Sequence, residues 1–155
     1  MAKHGPLVFE YSKVTPLIYV GTNMCCQVHF DKSLLKQGIK ADISLEDTKV
    51  DKPFGVLYYC WLPTRDHTAP TMKQLKIGVD FLKSLIDNKV KVYIHCERGH
   101  GRAPTLVAAY LISQGKRLGD AIAFIKAKRP AIHLDKRQIA ILQKFKKHIT
   151  LRGKT

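Results

Sequence analysis

The sequence is short of acid. Its 155 residues include 12 aspartates and glutamates against 27 lysines and arginines, a formal net charge of +15. A chain so unbalanced draws anionic partners, although charge alone does not say which ones. Long apolar runs are missing too. No stretch approaches the roughly 20 residues that cross a bilayer, and residues 1–6 lead into no signal-like hydrophobic segment. Membrane insertion is therefore not expected, and the expected location is the cytoplasm. Cysteine is limited to Cys25, Cys26, Cys60 and Cys96, with no CxxC pair, and His29 near Cys25 completes no zinc-finger spacing. No metal and no cofactor are expected. Internal repeats and low-complexity tracts are absent, and no basic stretch is interleaved with aromatics, so the signature of a nucleic-acid-binding surface is lacking. What is present is the composition of a globular domain: 45% hydrophobic residues and a mean hydropathy of −0.15. The length fits one domain over 1–155, expected to be monomeric, with irregular ends at 1–13 and 150–155.

Apolar periodicity divides the chain into alternating elements. Residues 14–21 read as a β-rich run closed by Gly21, 28–38 as a short amphipathic helix ended by Gly38, and 39–45 as a second strand. A polar loop follows over 46–54, then a strand over 55–62 stopped by Pro63. Leu75, Val79, Leu82 and Ile86 give residues 71–87 a helical apolar face. A strand at 90–95 and helices at 102–113, 118–128 and 136–149 complete the series, the last capped by Asp135 and fraying beyond Lys144. Strands alternating with helices predict a three-layer α/β fold. Its core would be a mostly parallel sheet of four to five strands flanked by helices.

One eight-residue segment concentrates chemistry: His95-Cys96-Glu97-Arg98-Gly99-His100-Gly101-Arg102, between the 90–95 strand and the 102–113 helix. A strand, a glycine-containing loop and a helix N-terminus make an anion cradle, because backbone N–H groups and the helix dipole converge there. A cysteine at the mouth of such a cradle is favoured as thiolate. Arg102 adds a planar fork that can hold two phosphate oxygens at once. Cys-x5-Arg is a weak pattern on its own. An inert buried cysteine, however, would leave the two glycines and the arginine without a purpose.

The segment resembles the phosphate loop His-Cys-x-x-Gly-x-x-Arg of the cysteine-dependent protein tyrosine phosphatases, and the chain around it resembles their dual-specificity branch. The resemblance runs from Pro16 to the final helix. It includes Pro16-Leu17-Ile18-Tyr19-Val20-Gly21, which is similar to the opening strand of those enzymes, and Arg129-Pro130, which resembles a dipeptide before their last helix. It implies a metal-independent phosphomonoester hydrolase working through a phospho-cysteine intermediate. Cys96 would be the nucleophile, residues Glu97, Arg98, Gly99, His100, Gly101 and Arg102 the phosphate-binding loop, and His95 a support held by hydrogen bonds. A general acid must come from elsewhere. Asp66 in the 63–70 connection is the candidate, thirty residues ahead of Cys96 in the position of the family's acid loop. A helix-capping role is its structural alternative, and His67 is the runner-up acid. Two departures touch the second step. Ala103 stands where the family carries a hydroxyl after the loop arginine. Leu134 stands where some members carry a water-positioning glutamine, leaving Thr105 and Gln138 as stand-ins.

The implied partner is a phosphorylated protein or another anionic phosphomonoester. The shallow-cleft variant would accept phosphotyrosine and phosphoserine or phosphothreonine. A phospholipid, an inositol phosphate or an RNA 5′-phosphate would suit the same chemistry, and a phosphate-binding module without catalysis is the third reading. The absence of lysine at positions 97 and 100 counts against phosphoinositides.

Overall fold

The computed structural model describes residues 5–152. Strands β1 (Tyr11–Lys13), β2 (Ile18–Gly21), β3 (Ile39–Ser44), β4 (Tyr58–Trp61) and β5 (Lys91–His95) form one sheet in the order β1-β2-β5-β3-β4. β1 is antiparallel to β2, and every other neighbouring pair is parallel. The expected mostly parallel sheet is therefore a mixed one with a single antiparallel edge. Register fixes the place of the site: Gly21 and Ser44 flank His95, and Trp61 flanks Ser44. Four parallel strands thus end level, at the carboxyl edge where open α/β sheets bind their ligands.

Successive side chains on a strand point to opposite faces. On β2 and β5, Ile18, Val20, Val92 and Ile94 join the larger core, while Tyr19 and Tyr93 join a smaller one with Cys25, Cys26, Phe30 and Leu34. The larger core is closed by α2 (Met72–Asp87), α3 (Arg102–Ser113), α4 (Leu118–Lys128) and α5 (Lys136–Arg152). The smaller lies under α1 (Lys32–Lys36). α3 is buried from Arg102 through Ile112, and its run of small and apolar residues lets α2, α4 and α5 pack around it. Thr71 and Gln74 form a reciprocal capping box at the start of α2. Asp135 and Gln138 do the same at α5, each side chain accepting from the other's backbone N–H at 3.0 and 2.9 Å.

Several expected boundaries shift. The helix expected over 28–38 is only Lys32–Lys36, because Asp31 caps it and the residues before it swing Phe30 into the smaller core, where its N–H donates to the Phe54 carbonyl. The first expected strand begins at Ile18, since the Thr15 hydroxyl accepts from the Leu17 and Ile18 N–H groups and makes a turn instead. The strand expected over 55–62 is Tyr58–Trp61. The ends are more ordered than expected: Tyr11–Lys13 pairs with β2, and α5 runs through Arg152 rather than fraying. Residues 1–4 and 153–155 of those two segments lie outside the described part of the chain. Cys25 and Cys26 are joined by a disulfide. No helix among the described residues is long and apolar enough to cross a membrane.

Candidate active site

At the carboxyl edge of the sheet, Cys96 leaves β5 and residues 97–101 loop back to the start of α3. The carbonyls of this loop are turned outward, and each has a named donor. Glu97 O accepts from the Asn23 N–H at 3.2 Å, and His100 O from the His133 N–H at 2.9 Å. Arg98 O and Gly99 O accept from Arg129 Nη2 and Nε at 2.8 and 2.9 Å. Gly101 O accepts from the Thr105 N–H at 2.9 Å and its hydroxyl at 2.7 Å. In a trans peptide the C=O of one residue is antiparallel to the N–H of the next. Carbonyls facing out therefore set the N–H groups of Arg98 through Arg102 facing in. The result is a ring of donors around one point at the N-terminus of α3.

Glycine is required at the tightest point of this ring. Gly99 has φ +70°, and a Cβ there would fall 2.6 Å from the Gly21 carbonyl oxygen. At Gly101 a Cβ would meet the Gln138 amide at 2.9 Å. Arg129, only 2% exposed, is the main brace. Beyond its two loop bonds it pairs with Glu10 and reaches Ser12 Oγ at 3.0 Å, tying the loop to the edge strand β1. The sequence offered Arg129 only as part of a resemblance and gave no hint of this brace.

The loop floors a cavity of about 130 Å³ lined by Asp66, His67, Cys96, Glu97, Arg98, His100, Gly101, Arg102, His133, Asp135 and Gln138. The structure thus gathers Cys96 and Arg102, Asp66, and Gln138 from three parts of the sequence into one place. Cys96 is 3% exposed at its base. Arg102 is equally buried, and its Nη1 donates to the Thr64 carbonyl at 2.8 Å. Around the same guanidinium lie Glu46 (3.7 Å), Asp47 (3.5 Å) and, across Nη2, Asp66 (3.5 Å). Glu46 and Asp47 were not singled out in the sequence, where they read as the start of a polar loop. Burial works against the Glu46 charge, but hydrogen bonds from Thr48 outweigh it and, with Arg102, pull its pKa below the usual carboxylate value.

Asp66 is half exposed at the rim, in a turn where the next residue, His67, has φ +60°. Its Oδ1 accepts from the His67 N–H at 2.9 Å. Capping of α2 falls to Thr71 instead, so the capping alternative for Asp66 is not needed. Gln138 Nε2 donates to the Thr68 carbonyl at 3.2 Å, joining α5 to the Asp66 connection across the cavity. Thr105 faces the loop rather than the cavity, its hydroxyl proton held by Gly101 O.

His95 lies on the opposite face of β5 from Cys96, with its ring stacked on Tyr93 at 5.5 Å between centroids. Its Nε2 is 3.1 Å from Asp42 Oδ1 and 3.3 Å from Asp51 Oδ2. Burial opposes a charge on this imidazole, but the two carboxylates outweigh it and raise its pKa to about 10.

Comparison with known proteins agrees with this architecture. Residues 21–116 match the family model described as "Polymorphic toxin system, DSP-PTPase phosphatase". The chain is 36% identical over 78 residues to dual specificity protein phosphatase 5 of Rattus norvegicus, covering 49% of this chain and 20% of that protein. It is 35% identical over 132 residues to protein tyrosine phosphatase type IVA 3 of Mus musculus, covering 83% of this chain and 65% of that one. The chain therefore spans a fifth of the first relative and just under two thirds of the second. Among solved structures, PTPMT1 in complex with PI(5)P superposes with a TM-score of 0.80 at 26% identity, covering 92% of this chain and 98% of that one. An outward-turned loop, a cysteine at its base and an arginine at its end, on this sheet and in this match, place the chain in the cysteine-dependent DSP-PTPase phosphatase family.

Proposed function

We propose that the chain hydrolyses phosphomonoesters by a two-step, metal-independent route, and that its substrates are phosphotyrosine and phosphoserine or phosphothreonine side chains of proteins. The observation that carries the reading is the outward turn of successive loop carbonyls, which leaves the N–H groups of Arg98 to Arg102 converging above Cys96. Those donors hold the phosphoryl oxygens as charge builds on them. Arg102 has its Nη1 engaged by main-chain carbonyls, so its remaining edge meets the phosphate, displacing the loose contact with Asp66. Cys96 Sγ attacks phosphorus opposite the leaving oxygen; the S–P bond forms, the P–O bond breaks, and Asp66 delivers its proton to the departing oxygen. In the second step Asp66, now ionised, takes a proton from a water that attacks phosphorus, and the S–P bond breaks. Gln138, buried against Gly101 and linked to the Asp66 connection, orients that water. Thr105 supports the loop by holding Gly101 O outward. His95, held by Asp42 and Asp51, fixes the end of β5 from which Cys96 leaves.

The cavity of about 130 Å³ accommodates the phosphoryl group and little else, so the organic part of the substrate stays at the mouth among Arg98, His67 and His133. That geometry suits a phosphate presented on an exposed protein side chain. The test is turnover on phosphotyrosine and phosphothreonine peptides, phosphatidylglycerophosphate and 5′-triphosphorylated RNA, with Cys96→Ser as the blank. Peptide turnover should exceed the others and vanish in the blank. Turnover that survives Cys96→Ser, or that needs added divalent metal, would remove the cysteine mechanism. Turnover confined to the lipid or the RNA would keep the mechanism and change the substrate.

A further inference from the structure

Behind the loop, on the face of the sheet that carries the smaller core, lies a second cluster, which shares only the supporting residue His95 with the hydrolytic site. Cys25 and Cys26 come from the turn after β2, Asp42 from the middle of β3, and His95 from the end of β5. One donor atom from each, two sulfurs, a carboxylate oxygen and an imidazole nitrogen, lies within 4.8 Å of all the others, and all four residues are buried. Cys26 Sγ is 3.6 Å from Asp42 Oδ2 and 3.7 Å from His95 Nε2. Disulfide sulfur carries no proton, so Cys26 Sγ touches Asp42 without donating to it and can only accept, weakly, from His95 Nε2–H. Asp51, its side chain 5% exposed, adds a second carboxylate beside the same imidazole nitrogen.

The cluster is under-satisfied as it stands. One imidazole faces two carboxylates in a buried interior: its single Nε2 is shared between Asp42 Oδ1 and Asp51 Oδ2, and its Nδ1 makes no hydrogen bond. Adjacent buried carboxylates repel, and a single imidazole offsets only one of the two charges. Thiolate, imidazole and carboxylate are the donors that Zn²⁺ prefers, in tetrahedral array at roughly 2.0–2.3 Å. A tetrahedron of that radius has edges of roughly 3.3–3.8 Å. The Cys26–Asp42 and Cys26–His95 separations of 3.6 and 3.7 Å fall in that range.

We propose that, once the Cys25–Cys26 disulfide is reduced, Cys25, Cys26, Asp42 and His95 form a tetrahedral site for a zinc-class divalent cation. Reduction takes two equivalents of a small thiol, giving two cysteine thiols and one small-molecule disulfide. Binding then releases the two thiol protons and the proton on His95 Nε2, leaving two thiolates, a neutral imidazole and a carboxylate on the ion. Re-oxidation of the pair by a small-molecule disulfide, which takes up the two electrons as two small thiols, expels it. Because the ligands come from three elements, no zinc spacing appears in the sequence.

The test uses Cys96→Ser, which removes the catalytic thiol as a competing ligand and keeps the result independent of phosphatase activity. The protein is reduced with a phosphine, freed of reductant, and titrated with Co²⁺ and then Zn²⁺. One equivalent of Co²⁺ should give a thiolate-to-cobalt charge-transfer band that Zn²⁺ bleaches, and prior oxidation of the pair with diamide should abolish it. Adding Cys26→Ser should weaken binding at least 100-fold, and Asp42→Asn at least tenfold. If those variants fail to fold, alkylation followed by mass spectrometry decides: Zn²⁺ should slow labelling of Cys25 and Cys26 at least tenfold while leaving Cys60 unchanged. No band in the folded, reduced protein, a band that survives Cys26→Ser, or labelling rates indifferent to Zn²⁺ would each overturn the site.

Discussion

Asp66 is the residue on which the acid–base half of the mechanism depends, and its position at the rim makes the dependence measurable. A general acid matters most when the leaving group is poor. Asp66→Asn should lower the rate on a phosphotyrosine peptide by about 10²–10⁴-fold, and much less on an activated aryl phosphate whose leaving oxygen needs no proton. Equal losses on the two substrates would reassign Asp66 to structure. Arg129 acts at a distance from the substrate. Arg129→Met keeps the aliphatic stem but strips the donors from Arg98 O and Gly99 O and leaves Glu10 without its partner. With about 1.5–3 kcal/mol for each charged buried hydrogen bond, stability should fall by about 3 kcal/mol or more, and KM should rise as the loop relaxes. A midpoint of denaturation unchanged from wild type would show that Arg129 does not brace the loop. Glu46 supplies the pH dependence. Its pKa is lowered in the folded state, so its contribution is complete above its unfolded value and fades as pH falls through the lowered one. Glu46→Gln should therefore destabilise near neutrality, with the gap from wild type closing on acidification; a gap constant with pH would mean that the carboxylate's charge is not what Arg102 and Thr48 hold. These residues differ in how far the sequence revealed them. Cys96 and Arg102 share one segment whose glycines and flanking elements are local, so the pattern was readable. Asp51 and Arg129 meet their partners only through tertiary folding, and so does Glu46 with Arg102, although its own hydrogen bonds come from Asp47 and Thr48 beside it.

Among the elements, the packing of α2 on α3 is set by one small residue. Gly78 lies on the buried face of α2, and a Cβ there would fall 2.7 Å from Leu106 Cδ1 and 2.9 Å from Leu62 Cδ1. Two effects oppose each other in Gly78→Ala. Helix propensity favours alanine by up to about 1 kcal/mol, while overpacking a tight interface costs about 1–3 kcal/mol. Leu106 is fully buried, so its methyl has little room to move away, and packing should win. The expected result is a net loss of about 1 kcal/mol, read as a lower denaturant midpoint at unchanged slope; a stabilised variant would show that the leucines repack freely. The helices themselves were legible because their apolar stripes are long, and α4 falls on its expected residues, 118–128. Short elements were not. α1 shrank to five residues because a tertiary demand, burying Phe30, overrode the local pattern. β1 escaped notice because three half-exposed residues pairing along one edge leave no periodicity to read.

At the scale of the whole molecule, the charge of +15 has no counterpart in the two-step chemistry, which draws on positive charge only at the loop amides and Arg102. Its effect belongs to encounter. Much of it lies far from the cavity, on exposed residues such as Lys144, Lys146 and Lys147 of α5, but Lys136 and Arg137 are exposed at the end of α5 that carries Asp135 and Gln138 into the cavity wall. At about 0.1 M salt, interactions beyond roughly 10 Å are screened, so a broad positive field is felt at low ionic strength and a local one persists further. An acidic phosphopeptide senses the whole field, whereas a small aryl phosphate senses only the site. Raising salt from low to high ionic strength should therefore reduce kcat/KM on the acidic peptide by about tenfold or more, within the range that electrostatic steering gives, and change it far less on the aryl phosphate. The loss should sit in KM, with kcat nearly constant, because the chemical step takes place inside the cradle. Lys136→Glu with Arg137→Glu separates the two contributions: if charge near the mouth dominates, that pair should flatten the salt dependence on the peptide, and reversing Lys144, Lys146 and Lys147 should leave it nearly intact. Equal salt slopes on peptide and aryl phosphate in the unmodified protein would mean that the surplus charge plays no part in choosing the substrate, and that its anionic partner lies elsewhere on the surface.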